Sequence, residues 1–339
     1  MSPSSAAPDT LPIITIAPYL PTLAANHSDT DRAATAKALH EACRDIGFLY
    51  LNVDGFVSPD EMQNALDLAR EFFHRPQEEK DDILLTKADG ARGYQRLRQN
   101  VTMGKADHHE GLDMYAPSPF PDTPENAKRH LGGANQYPVN PPALKPLLED
   151  WIVKMKTLGK AVMHGMCDGL GMDEKEWQDM WAINNDSFWS MRLIGYPALP
   201  DGQDGISCGE HKDYGCLTFL HADDCPGALQ VLSKSGAWLN ADMVRGCFVV
   251  NIGAMWERWT GGLYPATLHR VVHRSPTYRV SIPFFFEPNF DAPIDLLPAA
   301  KRKTAAEGRK IEEPEGKLKY GDYLLSKVTS NFKYDDDEA

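Results

Sequence analysis

Apolar positions along the chain follow two rhythms, helical in the first half and alternating in the second. Leu11–Ile16 reads as a short strand. Ala34, Ala38, Leu39, Ala42, Cys43 and Ile46 then fall three or four positions apart and predict a helix from about Asp29, ended by Gly47. Phe48–Val53 reads as a second strand. Ser58-Pro59-Asp60-Glu61 is a helix start: Ser58 caps, Pro59 suits the first turn and Glu61 closes a capping box. Met62, Ala65, Leu66, Ala69, Phe72 and Phe73 supply its buried face. Residues 80–141, rich in Gly, Pro and charge, predict irregular structure with short strands. From Pro142 to about Gly169 the stripe Leu144, Leu148, Trp151, Met155, Leu158, Val162 and Met166 predicts a long helix, and a shorter one begins near Asp173.

From Ser187 short alternating segments separated by turn residues take over. They are Phe188–Tyr196, Cys216–Leu220, Ala228–Leu232, Cys247–Ile252, His269–His273 and Arg279–Phe286. Such spacing predicts an all-β sandwich or barrel. Residues 1–10 and the acidic run Asp335–Glu338 predict solvated tails.

Composition narrows the partners. The 339 residues carry 35 Lys+Arg against 48 Asp+Glu, a net charge of −13 that repels phosphate backbones and anionic membranes. No nucleic acid and no membrane partner is expected. The length alone allows two domains. Six scattered cysteines without a C-x-x-C spacing read as reduced thiols. No Lys or Arg precedes Arg32, and Pro12 and Pro18 interrupt the apolar stretch Leu11–Leu20, so a cytoplasmic protein is expected.

The candidate chemistry lies in His211-Lys212-Asp213 and His269. On a strand, residues i and i+2 share a face, so His211 and Asp213 can aim an imidazole and a carboxylate at one point. His269 from another strand completes a two-histidine, one-carboxylate set with three open positions, which suits non-haem Fe(II) better than zinc. His-x-Asp alone is a weak signal, because many such histidines are surface or core residues. Arg279-Val280-Ser281 strengthens it, since an inward arginine on an apolar strand calls for an anion such as a carboxylate. A structural ion pair is the alternative.

Taken with further motifs, these residues resemble the isopenicillin-N-synthase-like branch of the Fe(II)/2-oxoglutarate-dependent oxygenases. The resemblance runs over nearly the whole chain. It rests on Leu11–Leu20, on Ala42–Phe48, and on His211–Leu220, Gly227–Val231, Val250–Gly253, Trp259–Gly262, His269–Val271 and Arg279–Phe285 in the family's order. It implies an α+β fold with a mainly β core, a double-stranded β-helix (jelly-roll, cupin-like) barrel wrapped by N-terminal and central α-helices. Residues 1–180 would pack on a barrel formed by 181–339 as one unit. It implies His211, Asp213 and His269 as iron ligands, and Arg279 and Ser281, helped by Tyr196, as binders of the distal carboxylate of 2-oxoglutarate. Fe(II), 2-oxoglutarate and O2 are the expected cofactor and cosubstrates.

The expected reaction oxidises a small molecule, a natural-product intermediate or small ring compound, with release of succinate and CO2. Hydroxylation is the common outcome; desaturation or rearrangement is the variant. The alternatives are a relative that uses Fe(II) and O2 without 2-oxoglutarate, or a catalytically silent ligand-binding protein. Arg192, Tyr214, Phe290 and Tyr94 are candidate substrate contacts, in a pocket drawn partly from Arg96, Arg98 and Met114. His273 is read as supporting or surface, His108 and His109 as surface, and Cys208 and Cys216 receive no role. The chain departs from many relatives at Ala254, where they carry Asp, and at Val53-Asp54-Gly55, where they carry Asn-His-Gly. The oligomeric state is left open.

Overall fold

Capping side chains set where three of the helices begin. The computed structural model describes residues 10–87, 89–102, 105–199 and 206–331, so most of the expected N-terminal tail and the run Asp335–Glu338 lie outside the described residues. Helix α1 (Asp29–Asp45) starts at Ser28, whose hydroxyl accepts from the Asp31 amide while Asp31 accepts from the Ser28 amide. The Ser58 and Glu61 pair does the same for α2 (Pro59–Phe73), as the sequence predicts. A short α3 (Gln77–Asp81) follows. Helix α4 (Leu144–Leu170) ends at Gly171, whose φ of 75° favours glycine, and Asp173 caps α5 (Glu174–Ala182). Three later helices, α6 (Ala254–Trp259), α7 (Pro298–Ala306) and α8 (Tyr320–Asn331), are not signalled by periodicity. Among the described residues no helix is long and apolar enough to cross a membrane.

The N-terminal half contributes strands β1 (Ile13–Thr15), β2 (Phe48–Asn52), β3 (Gly93–Gln95), the small pair β4 (Val101–Thr102) and β5 (Lys105–Ala106), and β6 (Glu110–Tyr115). The C-terminal half contributes β7 (Trp189–Tyr196), β8 (Ile206–His211), β9 (Leu217–Ala222), β10 (Leu229–Leu232), β11 (Trp238–Asn240), β12 (Cys247–Ile252), β13 (His269–Val272) and β14 (Arg279–Phe286). Eight of them form a large sheet in the order β1-β2-β12-β9-β14-β7-β6-β3, and β11-β10-β13-β8 form a smaller one. Strands from both halves of the chain therefore share one sheet, and β6 is a full member of it within the stretch expected to be irregular.

Alternation assigns each face. Along β14, Val280, Ile282, Phe284 and Phe286 enter the core beneath the helices, while Arg279, Ser281, Pro283 and Phe285 face the cavity between the sheets. Along β7, Met191 and Leu193 take the helix side, and Arg192, Ile194 and Tyr196 the cavity side. A one-residue slip of either strand would exchange these sets. Helix α4 seats closely on β14: a Cβ at Gly159 would lie 2.1 Å from the Phe286 ring. A second apolar cluster, including Tyr50, Val249, Leu229, Val231 and Val271, packs between the two sheets. The arrangement is the α+β, jelly-roll-type architecture expected from the motifs.

Candidate active site

Register brings the two histidines together. His269 of β13 pairs directly opposite His211, the last residue of β8, and their ring centroids are 4.2 Å apart. Asp213 stands beyond the end of β8, in the turn leading to β9, so the strand alternation expected for His-x-Asp does not place it. The turn does, and backbone contacts fix it. The Ala254 amide donates to the Asp213 carbonyl at 2.9 Å and the Met255 amide to the Gly215 carbonyl at 3.0 Å, so the first turn of α6 holds the loop. Gly253 permits this approach, since a Cβ there would lie 2.3 Å from the Gly215 carbonyl oxygen.

The donor atoms converge. Asp213 Oδ1 lies 3.6 Å from Nε2 of His211 and 3.6 Å from Nε2 of His269. Each histidine turns its other nitrogen to a backbone carbonyl, His211 Nδ1 to Gly209 at 2.8 Å and His269 Nδ1 to Thr267 at 3.1 Å. The two carbonyls favour a proton on each Nδ1, so a metal bound here would meet both Nε2 lone pairs. Asp213 Oδ2 accepts from the Thr218 hydroxyl and from Asn251 Nδ2 at 2.7 Å, which leaves Oδ1 for a ligand. Burial pushes the Asp213 carboxyl up, but the His269 and His211 rings and the two hydrogen bonds outweigh it and hold it below the usual carboxylate range. Burial lowers His269 to about 4, so its ring is neutral. Burial lowers the His211 ring as well, but Cys208, Asp213 and the Gly209 carbonyl outweigh it and push it up to about 10, so a metal ion would displace the proton from its Nε2. Two imidazoles and one carboxylate within 4.8 Å of one another form a set able to hold a metal ion.

These residues open on a cavity of about 110 Å³ walled by apolar groups including Phe48, Leu229, Val271 and Phe285. On its far side Arg279 is 2% exposed, and its Nε and Nη1 have no hydrogen-bond partner among the described residues. Its guanidinium lies over the Tyr196 ring at 4.9 Å, and Tyr196 pairs with it across β7 and β14. Ser281, two residues on, faces the same space and the Tyr196 side chain. Buried donors left open in this way fit an anion that the protein itself does not supply. A larger depression of about 390 Å³ lies beside α1 and α4, but its charges pair locally, Arg32 with Asp168 at 3.2 Å and His40 with Glu307 at 2.6 Å. No metal-ligand set lies there among the described residues.

Several expected placements differ. Tyr94 turns away from the cavity; its hydroxyl donates to Glu110 and its ring meets Phe72. Met114 is buried in the core beneath the helices, and Arg96 pairs with Asp81 at 2.8 Å on the outside. Arg98 sits in a turn, its amide donating to the His109 carbonyl, and does not line the cavity. Phe290 packs on Phe188 and Phe120, outside the cavity wall. Tyr214 is half-buried near Arg192 and Asp113 without lining the cavity. Arg192 does line it, ion-paired to Asp113 at 2.6 Å.

His108 and His109 are buried, not at the surface, and His109 reaches the cavity. His273 is fully buried, its Nε2 donating to the Thr277 carbonyl at 2.9 Å. Cys208, given no role, lines the cavity 3.8 Å from His211 Nδ1. Thr218 and Asn251, which hydrogen-bond Asp213, are site residues that sequence reasoning misses. Only the Asn251-Ile252-Gly253 motif hints at one of them.

Comparison with known proteins agrees with this geometry. Residues 11–140 match the family described as non-haem dioxygenase in morphine synthesis N-terminal, and residues 179–288 match the 2OG-Fe(II) oxygenase superfamily. A homoarginine-6-hydroxylase of Glycine max is 39% identical over 334 residues, covering 95% of this chain and 97% of the relative. One of Arabidopsis thaliana is 40% identical over 312 residues, covering 90% and 91%. The crystal structure of a full-length Neurospora crassa protein in complex with alpha-KG superposes with a TM-score of 0.76 at 26% identity, over 94% of this chain and 96% of that one. The same Neurospora protein has been solved with alpha-KG and thymine, with a TM-score of 0.75 at 25% identity over 94% and 96%. The chain is a member of the 2-oxoglutarate–Fe(II) oxygenase superfamily, an enzyme that acts on a small molecule with Fe(II), 2-oxoglutarate and O2.

Proposed function

We infer that His211, Asp213 and His269 hold the iron, and that Arg279 and Ser281, with Tyr196 beside them, hold the distal carboxylate of 2-oxoglutarate. The observation that carries this reading is Arg279, a buried cation with two open donors facing the same cavity as the three-ligand set. When bound, the iron and 2-oxoglutarate supply an oxidant from O2 that inserts one oxygen atom into a substrate C–H bond, while 2-oxoglutarate loses CO2 and becomes succinate. The protein's share is positional. Thr218 and Asn251 fix the rotation of Asp213, the carbonyls of Gly209 and Thr267 fix both imidazole tautomers, and the apolar walls keep water from the reacting carbon.

The named relatives point to hydroxylation of an amino acid bearing a guanidino group. We place the chain in the isopenicillin-N-synthase-like branch and in a reducing, cytoplasmic setting, which its free cysteines support. A natural-product role is the wider reading. The test is stoichiometry: homoarginine turnover should yield one succinate per hydroxylated product. Product without succinate would overturn the 2-oxoglutarate assignment.

Asn251→Ala probes the support of the carboxylate. Loss of one hydrogen bond to Asp213 is expected to weaken Fe(II) binding by roughly 10- to 100-fold, read by anaerobic titration, while the fold persists. Unchanged affinity would mean that Thr218 alone positions Asp213.

A further inference from the structure

Gly111 and Asp113 of β6 pair with Ile194 and Arg192 of β7, and His109, the residue before β6, continues their face, its ring 5.5 Å from the Tyr196 ring. Two acceptors on this face are buried and have no donor among the described residues. The first is His109, 2% exposed, which lines the cavity. Its Nδ1 faces the Ser207 carbonyl at 3.2 Å, so that nitrogen carries the proton and donates. Burial and the neighbouring Arg192 charge push the ring down to about 3, so it is neutral and Nε2 is a bare acceptor. The second is Asp113. Its Oδ1 accepts from Arg192 Nε at 2.6 Å, whereas Oδ2 has no partner; burial raises its carboxyl above the usual carboxylate range, and the Arg192 charge and hydrogen bond work against that.

A buried acceptor without a donor costs about 1–3 kcal/mol. Arg279 shows the complementary signature, open donors awaiting an anion, and 2-oxoglutarate answers it. The same molecule cannot answer His109 and Asp113, because its carboxylates and keto oxygen only accept. These acceptors are left for the N–H groups of a substrate to fill.

We propose that His109, with Asp113 behind it, is a specificity-determining pair that receives N–H donors at the reacting end of a cationic substrate, a guanidino group being the matching chemistry. This rests on the oxygenase reading of the site and its guanidino substrate, and supplies the residues that recognise that group. In homoarginine the carbon at position 6 bears the guanidino nitrogen, so oxidation there brings that group against the ligand set, which lines the same cavity as His109. Asp113 offsets the Arg192 charge that would otherwise repel it.

The experiment compares homoarginine with homocitrulline, its uncharged urea isostere, by succinate release, and follows 2-oxoglutarate binding by the anaerobic visible band of the Fe(II) protein. The unaltered protein should prefer homoarginine by tenfold or more in kcat/KM. His109→Phe should raise the homoarginine KM by roughly 10- to 100-fold, the range for hydrogen bonds to a charged group, and erase the preference while the band persists. Asp113→Asn should shrink the preference, and His109→Gln, which returns an amide oxygen, should recover part of it. A preference that survives both His109→Phe and Asp113→Asn overturns the proposal, as does an equal rise of KM for both compounds. If the band forms but the unaltered protein turns over neither compound, the guanidino assignment falls and the oxygenase reading stands. If no band forms, the oxygenase reading is the one that fails.

Discussion

Asp213→Ala is expected to end homoarginine- and 2-oxoglutarate-dependent turnover. Asp213 is the only anionic donor among the three converging groups, and its Oδ1 is equidistant from both Nε2 atoms. Removing it leaves two imidazole rings, a set too weak to retain Fe(II) against water. Loss of a partner outside the ligand set already costs roughly 10- to 100-fold in metal affinity, so loss of the ligand itself should exceed about 100-fold. The Thr218 hydroxyl and the Asn251 amide lose their acceptor too, at about 1–3 kcal/mol, so the metal-free variant should also melt earlier. Circular dichroism separates the two effects, since a folded variant without iron binding is the expected result. Iron-dependent turnover that survived in Asp213→Ala would sink the ligand assignment.

Arg279→Leu is expected to do two opposite things. Without 2-oxoglutarate, the arginine is a buried cation with two open donors, and a leucine there removes that desolvation cost; the apo protein should become more stable by about 1 kcal/mol or more. With 2-oxoglutarate, the same change removes the charge partner of its distal carboxylate. Truncating one side of a buried, hydrogen-bonded charge pair costs about 2–5 kcal/mol, so the 2-oxoglutarate KM should rise by roughly 30-fold or more. The melting-temperature gain on adding 2-oxoglutarate should then vanish at concentrations that stabilise the unaltered protein. A merely structural arginine would lower the apo melting temperature and leave the ligand response intact, and that outcome would remove Arg279 from the cosubstrate site.

Legibility in the sequence follows the chemistry of each strand. Helices α1 and α2 are readable because Ser28 and Ser58 cap locally, and β14 because Val280, Ile282, Phe284 and Phe286 alternate along it as an apolar face. Strand β6 is not readable, because it inverts the usual pattern. Leu112 and Met114 point outward to the helix layer, while Gly111 and Asp113 take the opposite face, beside Ile194 and Arg192. The same inversion misplaces Tyr94 and hides Gln95 behind it. Inner faces that carry function are polar, and a rule that puts apolar residues inside turns them around. The histidine–aspartate pair is recognisable in the sequence but not its geometry, since a turn held by α6 places Asp213 and not strand alternation.

The flanks of the large sheet bear on how the chain is made. Strands β1 and β2 attach to one side of β12, and β6 and β3 to the outer side of β7. During synthesis all four leave the ribosome before the strands that will hold them. At about 5–20 residues per second, β2 waits roughly ten seconds or more for β12. Through that interval the residues of Phe48–Asn52, all but one of them buried in the finished enzyme, have no sheet to join. The nascent chain, more than the mature enzyme, is then the stage that exposes these residues, and a slower-translated stretch ahead of residue 247 would lengthen that exposure.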